Sequence, residues 1–379
     1  MPFKEQSIME GRQEFCRQAL EPGANISGLC RQYGISRPMA YKWLGRYSEA
    51  GMAGLHDRSR RPLRSPDRTE EELEAAVLSV REEHPAWGGR KIARVLRGRG
   101  VVPPSGSTIT EILRRHGKLD GPRAGQPRAY IRFERAAPNE LWQMDFKGHF
   151  ATASGRCHPL TVLDDHSRYD LALRACADER TATVQTALTT IFREYGLPDA
   201  ILCDNGPPWG DTAAHRYTPL GVWLMLNGVA VKHSRPYHPQ TMGKDERFHR
   251  TFKREVLGEG FSDLAHCQCA FDRWWHVYNH IRPHEALGMD TPASRYRASP
   301  RVFSDAPPPV EYDAPHVRKV SKVGRIGFLG YDLRLPNAFA GHRVALRPAE
   351  ADGCWAVFFA AFRVAQIDLR DAEGRCVQV

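Results

Sequence analysis

Three carboxylates stand in frames that set them apart from ordinary surface acids. Asp145 lies in LWQMDFKGHF, Asp204 in DAILCDNGPPW and Glu246 in HSRPYHPQTMGKDERFHRTFK. Acids this far apart in sequence meet only if a fold gathers them. A gathered set repels itself unless a cation lies between its members, and hard oxygen ligands favour Mg²⁺ or Mn²⁺. Two such ions can activate a nucleophile and stabilise the leaving oxygen of a phosphodiester. Singly, each acid has a plainer reading. Asp145 could be the polar end of a strand, and Asp204 with Asn205 and Gly206 could be a turn. Glu246 could pair with Arg250 one helical turn later. Together, at strand tips and a helix start beside one sheet, the three point to metal-dependent chemistry on a nucleic-acid backbone. His233, His238 and His249 flank the third acid and either touch phosphate or support the loop, with support the better reading for His233. No Ser or Cys sits in a nucleophile-elbow frame, so serine- or cysteine-nucleophile chemistry has no support.

The elements that must position these acids can be read from periodicity. LWQMDFKGHF, HPLTVLDD and RYDLALRAC have strand character, with a turn at Asp164–Ser167. TATVQTALTTIFREYG reads as a helix closed by Gly196, with Pro198 just after it. AILCD and VAVKHSR are short strands, and TMGKDERFHRTFKREVL is a helix that starts at the third acid. A meander followed by strands alternating with helices makes a mixed sheet covered by helices. This α/β core is expected over residues 137–300, and DLAHCQCAFDRWWHVYNHIRP adds an aromatic-rich helix to it.

The flanking regions differ in character. In residues 1–56, apolar residues Ile26, Leu29, Cys30 and Tyr33 follow helix spacing, Gly34 breaks the helix and Ser36 can cap the next one. Helix, glycine turn and a basic, aromatic helix make a helix-turn-helix pattern, with Arg37, Tyr41 and Lys42 able to reach bases or phosphates. An ordinary helical hairpin with Tyr41 and Trp43 in its core has the same pattern. Residues 57–69 form a basic linker in which Arg58, Arg60, Arg61 and Arg64 could follow phosphates or a minor groove, or simply be solvated. Residues 70–118 hold a second helix-turn-helix unit, with Thr108, Thr110, Arg114 and Arg115 on or near its outer face and Ser105 or Ser107 as a cap. A Gly/Pro-rich linker covers 119–136, and a proline-rich one covers 301–316. Alternating short strands in 317–379, with a hairpin turn at Asp352-Gly353, predict a small β-barrel.

Bulk properties agree with a DNA-acting protein of several domains. The chain has 379 residues and a net charge of +10, most of it in residues 1–130, which fits a polyanion partner there. Nine cysteines without paired C-x-x-C units argue against a structural zinc site, and their odd number without a secretory signal fits a reducing cytosol. The longest apolar run, near VWLMLNGVAV, is too short to span a bilayer, so no membrane role is expected.

WQMDF, CDNGPPW, HSRPYHPQTMGKDERFHRT and YNHIRPHEALGMDTPASRY resemble the catalytic core of insertion-sequence transposases of the retroviral-integrase superfamily. The paired N-terminal units and the GRIGF start of the terminal module extend the resemblance over nearly the whole chain. It implies a ribonuclease-H-like core with a catalytic and metal-binding triad on Asp145, Asp204 and Glu246. It also implies two Mg²⁺ or Mn²⁺ ions per site, DNA cleavage at the terminal inverted repeats of a mobile element, and strand transfer into target DNA. Gln240 and Lys244 are then DNA contacts at the mouth of the site. Joining two ends requires a dimer or larger assembly on DNA, in a cytoplasmic, nucleoid-associated setting. A sequence-specific DNA-binding regulator with a silent core is the competing reading. Two departures from the family pattern stand out. The stretch between Asp204 and Glu246 is long, and Asp245 occupies a place where relatives often carry an apolar residue. Adjacent helical residues point about 100° apart, so one of Asp245 and Glu246 faces the metals, and the resemblance favours Glu246.

Overall fold

The computed structural model describes residues 7–58, 68–119, 134–210, 217–234, 243–258, 260–307, 309–370 and 376–378. They fall into two compact units, Met1–Arg68 and Thr69–Val379.

The first unit is helical. Helices α1 (Ile8–Ala19), α2 (Ile26–Gln32) and α3 (Arg37–Ala50) enclose Phe15, Cys16, Cys30, Ala40, Trp43 and Leu55. The Ser36 hydroxyl accepts from the Met39 amide and caps α3, and Pro38 sits in its first turn, where a missing N–H costs nothing. Trp43 belongs to the core, whereas Tyr41 is 60% exposed. The helix-turn-helix expectation is therefore met in its elements.

The second unit opens with α4 (Glu71–Glu83), α5 (Gly89–Gly98) and α6 (Gly106–Arg115), packed around Val77, Val80, Trp87, Ile92, Leu96 and Ile109. Ser105 rather than Ser107 caps α6. The α5 surface reaches the central region, where Arg90 lies 3.7 Å from Glu285 and Arg94 3.9 Å from Asp290. Exposed pairs of this kind contribute about 0–1 kcal/mol. Val277 adds an apolar contact beneath them.

The central region forms a mixed sheet. Strands β1 (Trp142–Phe146), β2 (Phe150–Thr152), β3 (Gly155–Asp164), β4 (Asp170–Cys176), β5 (Ala200–Cys203) and β6 (Ala230–His233) take the order β2-β3-β1-β5-β6, with β4 also on β3. The β1–β3 and β3–β4 pairs are antiparallel, and β1–β5 and β5–β6 are parallel. Strand alternation divides the side chains between two faces. One face carries Trp142, Met144, Phe146, Leu160 and Val162 towards α7 (Thr181–Tyr195) and α8 (Pro219–Leu226). The other carries Leu163 and Leu173 towards α9 (Gly243–Glu255) and α10 (Leu264–His276). Asn279, just past α10, accepts from the Asp170 amide and donates to its carbonyl, which pins the end of α10 to β4. The tetrad Asp164–Ser167 turns as its sequence predicts, because the Asp164 carboxylate accepts from the Ser167 amide and hydroxyl.

Helix α8 coincides with the apolar run that is too short for a membrane. It is apolar all round because both sides are covered. Leu220 and Leu224 join the central core, while Val222 and Met225 pack on the C-terminal strands. Among the described residues no helix is long and apolar enough to cross a membrane.

The C-terminal strands are present, but the expected closed barrel is not what the described residues form. After the four-residue α11 (Pro292–Arg295), β7 (His316–Lys319), β10 (Arg343–Pro348), β11 (Cys354–Phe359), β12 (Phe362–Asp368) and β13 (Cys376–Gln378) make an open antiparallel sheet, ordered β13-β12-β11-β10-β7. Strands β8 (Arg325–Phe328) and β9 (Tyr331–Arg334) pair separately. The inner face, with Leu346, Val357 and Ile367, is covered by α8 and by Ile326 and Leu333 of that hairpin, so burial is met without closure.

Candidate active site

Two of the three acids meet at one end of the sheet through register. The parallel pairing of β1 and β5 sets Trp142 beside Ile201 and Gln143 beside Leu202. Continued two residues along each chain, this register would set Asp145 level with Asp204, and the effect of the Asp204 charge on Asp145 agrees with that nearness. Parallel strands put both acids at carboxyl ends, where loops open and ligands bind in α/β sheets. Asp204 is tied down by its own turn, since the Gly206 amide donates to its Oδ1 at 3.0 Å. His233 lies behind it, with Nδ1 2.9 Å from the Asp204 carbonyl oxygen, a supporting place consistent with its expected role.

The charge of Asp204 reaches Asp145. Burial, and next the charge of Asp204, push the Asp145 carboxyl up to about 7. Two carboxylates held this way disfavour their joint ionisation, and a bound cation reverses that preference. The site thus fits a divalent ion on electrostatic grounds as well as in donor type.

Across the sheet, Thr161 on β3 is the direct partner of Asp145. Both lie beneath the first turns of α9. The buried residue there is Asp245, which is 1% exposed, while Glu246 is exposed. The Thr161 hydroxyl is 3.0 Å from the Asp145 carbonyl oxygen, 3.1 Å from Asp245 Oδ1 and 2.9 Å from His249 Nε2. His249 follows Asp245 by one turn, with Nε2 3.2 Å from Asp245 Oδ2 and Nδ1 4.0 Å from Asp145 Oδ2. Burial, aided by the charge of Lys147, holds the imidazole down to about 3, so it is neutral at ordinary pH. Full burial, with the charge of Asp145 next, raises the Asp245 carboxyl well above the usual range. Among the described residues, Asp145, Asp245 and His249 form the one group placed to share a cation. The cysteines gather into no such group there.

Lys244 has a different place from the one its sequence position suggests. Its ammonium is 2.5 Å from Asp165 Oδ1 and donates to the Asp165 carbonyl at 3.0 Å. Asp165 is fully buried and also accepts from Gln143 Nε2 and the Arg135 amide. Lys244 therefore fastens the start of α9 to the turn between β3 and β4.

The remaining sequence candidates among the described residues lie on the helical units. Arg37 and Lys42 are exposed on α3, where Arg37 donates to the Ser27 hydroxyl. Arg58 is exposed, and Arg114 is exposed beside Glu111. Thr108 is half-buried at the α6 cap, with Oγ1 2.9 Å from Ser105 Oγ, and the Thr110 hydroxyl donates to the Gly106 carbonyl. Arg115 turns inward to donate to Glu74, a residue only 4% exposed. Arg60, Arg61, Arg64, His238 and Gln240 lie outside the described residues.

Thr161 has no place in the sequence reading, which treats HPLTVLDD only as a strand. The i, i+4 spacing of Asp245 and His249 was the available signal, because it puts both on one helix face.

Comparison with known proteins agrees region by region. Residues 12–62 match a helix-turn-helix domain and 39–113 a homeodomain-like domain. Residues 135–239 and 227–292 match integrase core domains, and 315–374 match the C-terminal domain of IS481 family transposases. The insertion element IS407 uncharacterized 31.7 kDa protein of Burkholderia multivorans is 29% identical over 247 residues, 64% of this chain and 86% of that protein. The insertion element IS476 uncharacterized 39.2 kDa protein of Xanthomonas euvesicatoria is 24% identical over 279 residues, 72% of this chain and 78% of that protein. Among solved structures, a simian T-cell lymphotropic virus intasome chain is 17% identical with a TM-score of 0.36, covering 80% of this chain and 96% of its own. That likeness is too distant to assign anything to individual residues. Helix-turn-helix units, an integrase core and an IS481-type C-terminal domain thus follow one another along the chain, which is similar over most of its length to insertion-element proteins.

Proposed function

We propose that this chain is a transposase that binds the terminal inverted repeats of a mobile element, cleaves at the element ends and joins the freed 3′-hydroxyls to target DNA. The observation that carries this reading is the shared register of Asp145 and Asp204, with mutual repulsion that a divalent cation would relieve. Asp145 and Asp204 would hold one Mg²⁺ or Mn²⁺ between them. Glu246, exposed at the first turn of α9, would complete a second site on the solvent side. When bound, the ions supply Lewis-acid activation of the attacking oxygen and stabilise the leaving oxygen. The protein's own share is positional. Trp142, Met144 and Phe146 fix β1 in the core so that the Asp145 carboxylate keeps one place. Lys244 and Asp165 fix the start of α9, which carries Glu246.

Recognition of the ends would fall to the helical units, through Arg37, Tyr41, Lys42 and Arg58 in the first and Thr108 and Arg114 in the second, with Arg115 turned to Glu74 instead. Arg60, Arg61 and Arg64 of the basic linker, and Gln240, would add backbone contacts. Two ends need two active sites, so the working form would be a dimer or larger on DNA.

A cleavage assay on DNA carrying the element's end, in Mg²⁺, tests the reading. Asp145→Asn, Asp204→Asn and Glu246→Gln should each abolish cleavage while end binding persists. Wild-type cleavage rates from Asp204→Asn would overturn it.

A further inference from the structure

The triad Asp145, Asp204 and Glu246 does not account for what lies under α9. The Asp245 carboxylate, 1% exposed, sits there with Oδ2 unmatched by a hydrogen bond, 3.2 Å from His249 Nε2 and grouped with Asp145. Its other oxygen is served by the Thr161 hydroxyl. Burying a carboxylate with an unmatched oxygen is costly, and such groups are ordinarily paired or bound to a metal. The groups facing Asp245 from the packed elements are Asp145 and Thr161 on the sheet and His249 on its own helix, and neither a lysine nor an arginine is among them. What the pocket has is donors: two carboxylates and one imidazole, with ligand atoms all within 4.8 Å of one another.

We infer that Asp145, Asp245 and His249 form a mixed oxygen–nitrogen cation site, distinct in its ligands from the Asp145–Asp204–Glu246 set and selective for a transition ion such as Mn²⁺ over Mg²⁺. Imidazole suits first-row transition ions, whereas Mg²⁺ prefers oxygen and keeps its waters. Two carboxylates balance the charge of one divalent ion. The Thr161 hydroxyl, within hydrogen-bond distance of both Asp245 Oδ1 and His249 Nε2, orients these ligands from behind, as outer partners do in metal sites. The inference rests on the proposed function only in sharing Asp145, which would then bridge a buried ion and the outer one.

Pulsed electron paramagnetic resonance of the full-length protein with Mn²⁺ alone tests this directly. Wild type should show ¹⁴N modulation from one imidazole. His249→Gln should abolish that modulation and weaken Mn²⁺ binding by roughly tenfold or more, a loss at least as large as that for outer-shell partners. Asp245→Asn should weaken both, whereas Asp204→Asn should leave the nitrogen signal in place. Circular dichroism of each variant separates lost ligation from lost folding, and His249→Asn serves if His249→Gln does not fold. Bound Mn²⁺ with no nitrogen coupling, no bound Mn²⁺, or coupling that survives in the folded His249 variant would each overturn the site. End cleavage in Mg²⁺ reports separately on the proposed function, so either idea can fail without the other.

Discussion

Asp245 and His249 stand one turn apart on the buried side of α9, with Oδ2 and Nε2 3.2 Å apart, while Glu246 between them is exposed. Helical geometry forces this split, since neighbours on an α-helix diverge by about 100° and residues four apart share a face. One helix therefore presents an acid to each of two environments. Asp245 occupies a core position, where Thr161 serves one of its oxygens and His249 lies beside the other.

The strained ionisation of Asp145 has a consequence for stability. Its carboxyl has an ordinary value of 3.8 and is pushed up to about 7 in the fold, chiefly by burial and then by Asp204. Between those values the folded protein holds a proton that the unfolded chain releases. Folding is therefore favoured below about pH 4 and loses that contribution as pH rises through 7. In EDTA, Asp145→Asn should match wild type near pH 4 and melt at a higher temperature at pH 8. Added Mn²⁺ should close the gap by stabilising wild type alone. Equal melting temperatures for the two proteins at pH 8 without metal would show that Asp145 is not destabilised in the fold.

Lys244 separates a structural from a DNA-binding role. Its ammonium is committed to Asp165, which is fully buried. Lys244→Ala removes a charged partner from that carboxylate and should destabilise the second unit by about 1–3 kcal/mol. End cleavage should fall because the start of α9 shifts. The slope of end affinity against salt should stay as in wild type, whereas loss of a phosphate contact would reduce it by about one. A reduced slope with unchanged stability would restore Lys244 to the DNA surface.

Much of the core was legible because its signals are local. The caps at Ser36 and Ser105, the helix stop at Gly196 and the Asp164–Ser167 turn are each written within a few residues. The pairing of Asp145 with Asp204 was legible only as a resemblance, since the β1–β5 register is a long-range property. Helix α8 was hidden for a physical reason: covered on both sides, it lacks the polar face that marks a helix in sequence. The open C-terminal sheet reads like a barrel because alternation fixes the faces of strands and says nothing about closure. Thr161 looked like any β-branched strand residue until β3 was set against β1.

Arg114 and Arg115 are adjacent on α6 and should behave differently. Arg115 donates to Glu74, which is buried and also lies 3.2 Å from His116 Nε2. Arg115→Ala takes a charged donor from a buried carboxylate and should cost about 1–3 kcal/mol of stability. Arg114 is exposed beside Glu111, and Arg114→Ala should leave the melting temperature unchanged. End affinity and its salt dependence should fall for Arg114→Ala if α6 faces DNA. Thermal melts and binding isotherms at several salt concentrations check both, and matching melts for the two variants would count against the inward role of Arg115.

The close approach of α5 and α6 depends on Gly89. A Cβ built there would lie 2.2 Å from the Gly106 carbonyl oxygen and 2.9 Å from Thr110 Oγ1. The nearer atom is backbone, so a side-chain rotation cannot relieve the clash. Gly89→Ala must push the two helices apart and loosen Ile92, Leu96 and Ile109, which meet at that contact. Overpacking of this kind typically costs about 1–3 kcal/mol. Because α5 also carries Arg90 and Arg94 towards Glu285 and Asp290, the shift should disturb the seat of this unit on the central region. Gly88→Ala is the control, since a Cβ at Gly88 meets nothing within 4 Å. The expected result is a clear drop in melting temperature for Gly89→Ala and a small one for Gly88→Ala, and comparable melts would mean that α5 and α6 are not packed backbone to backbone.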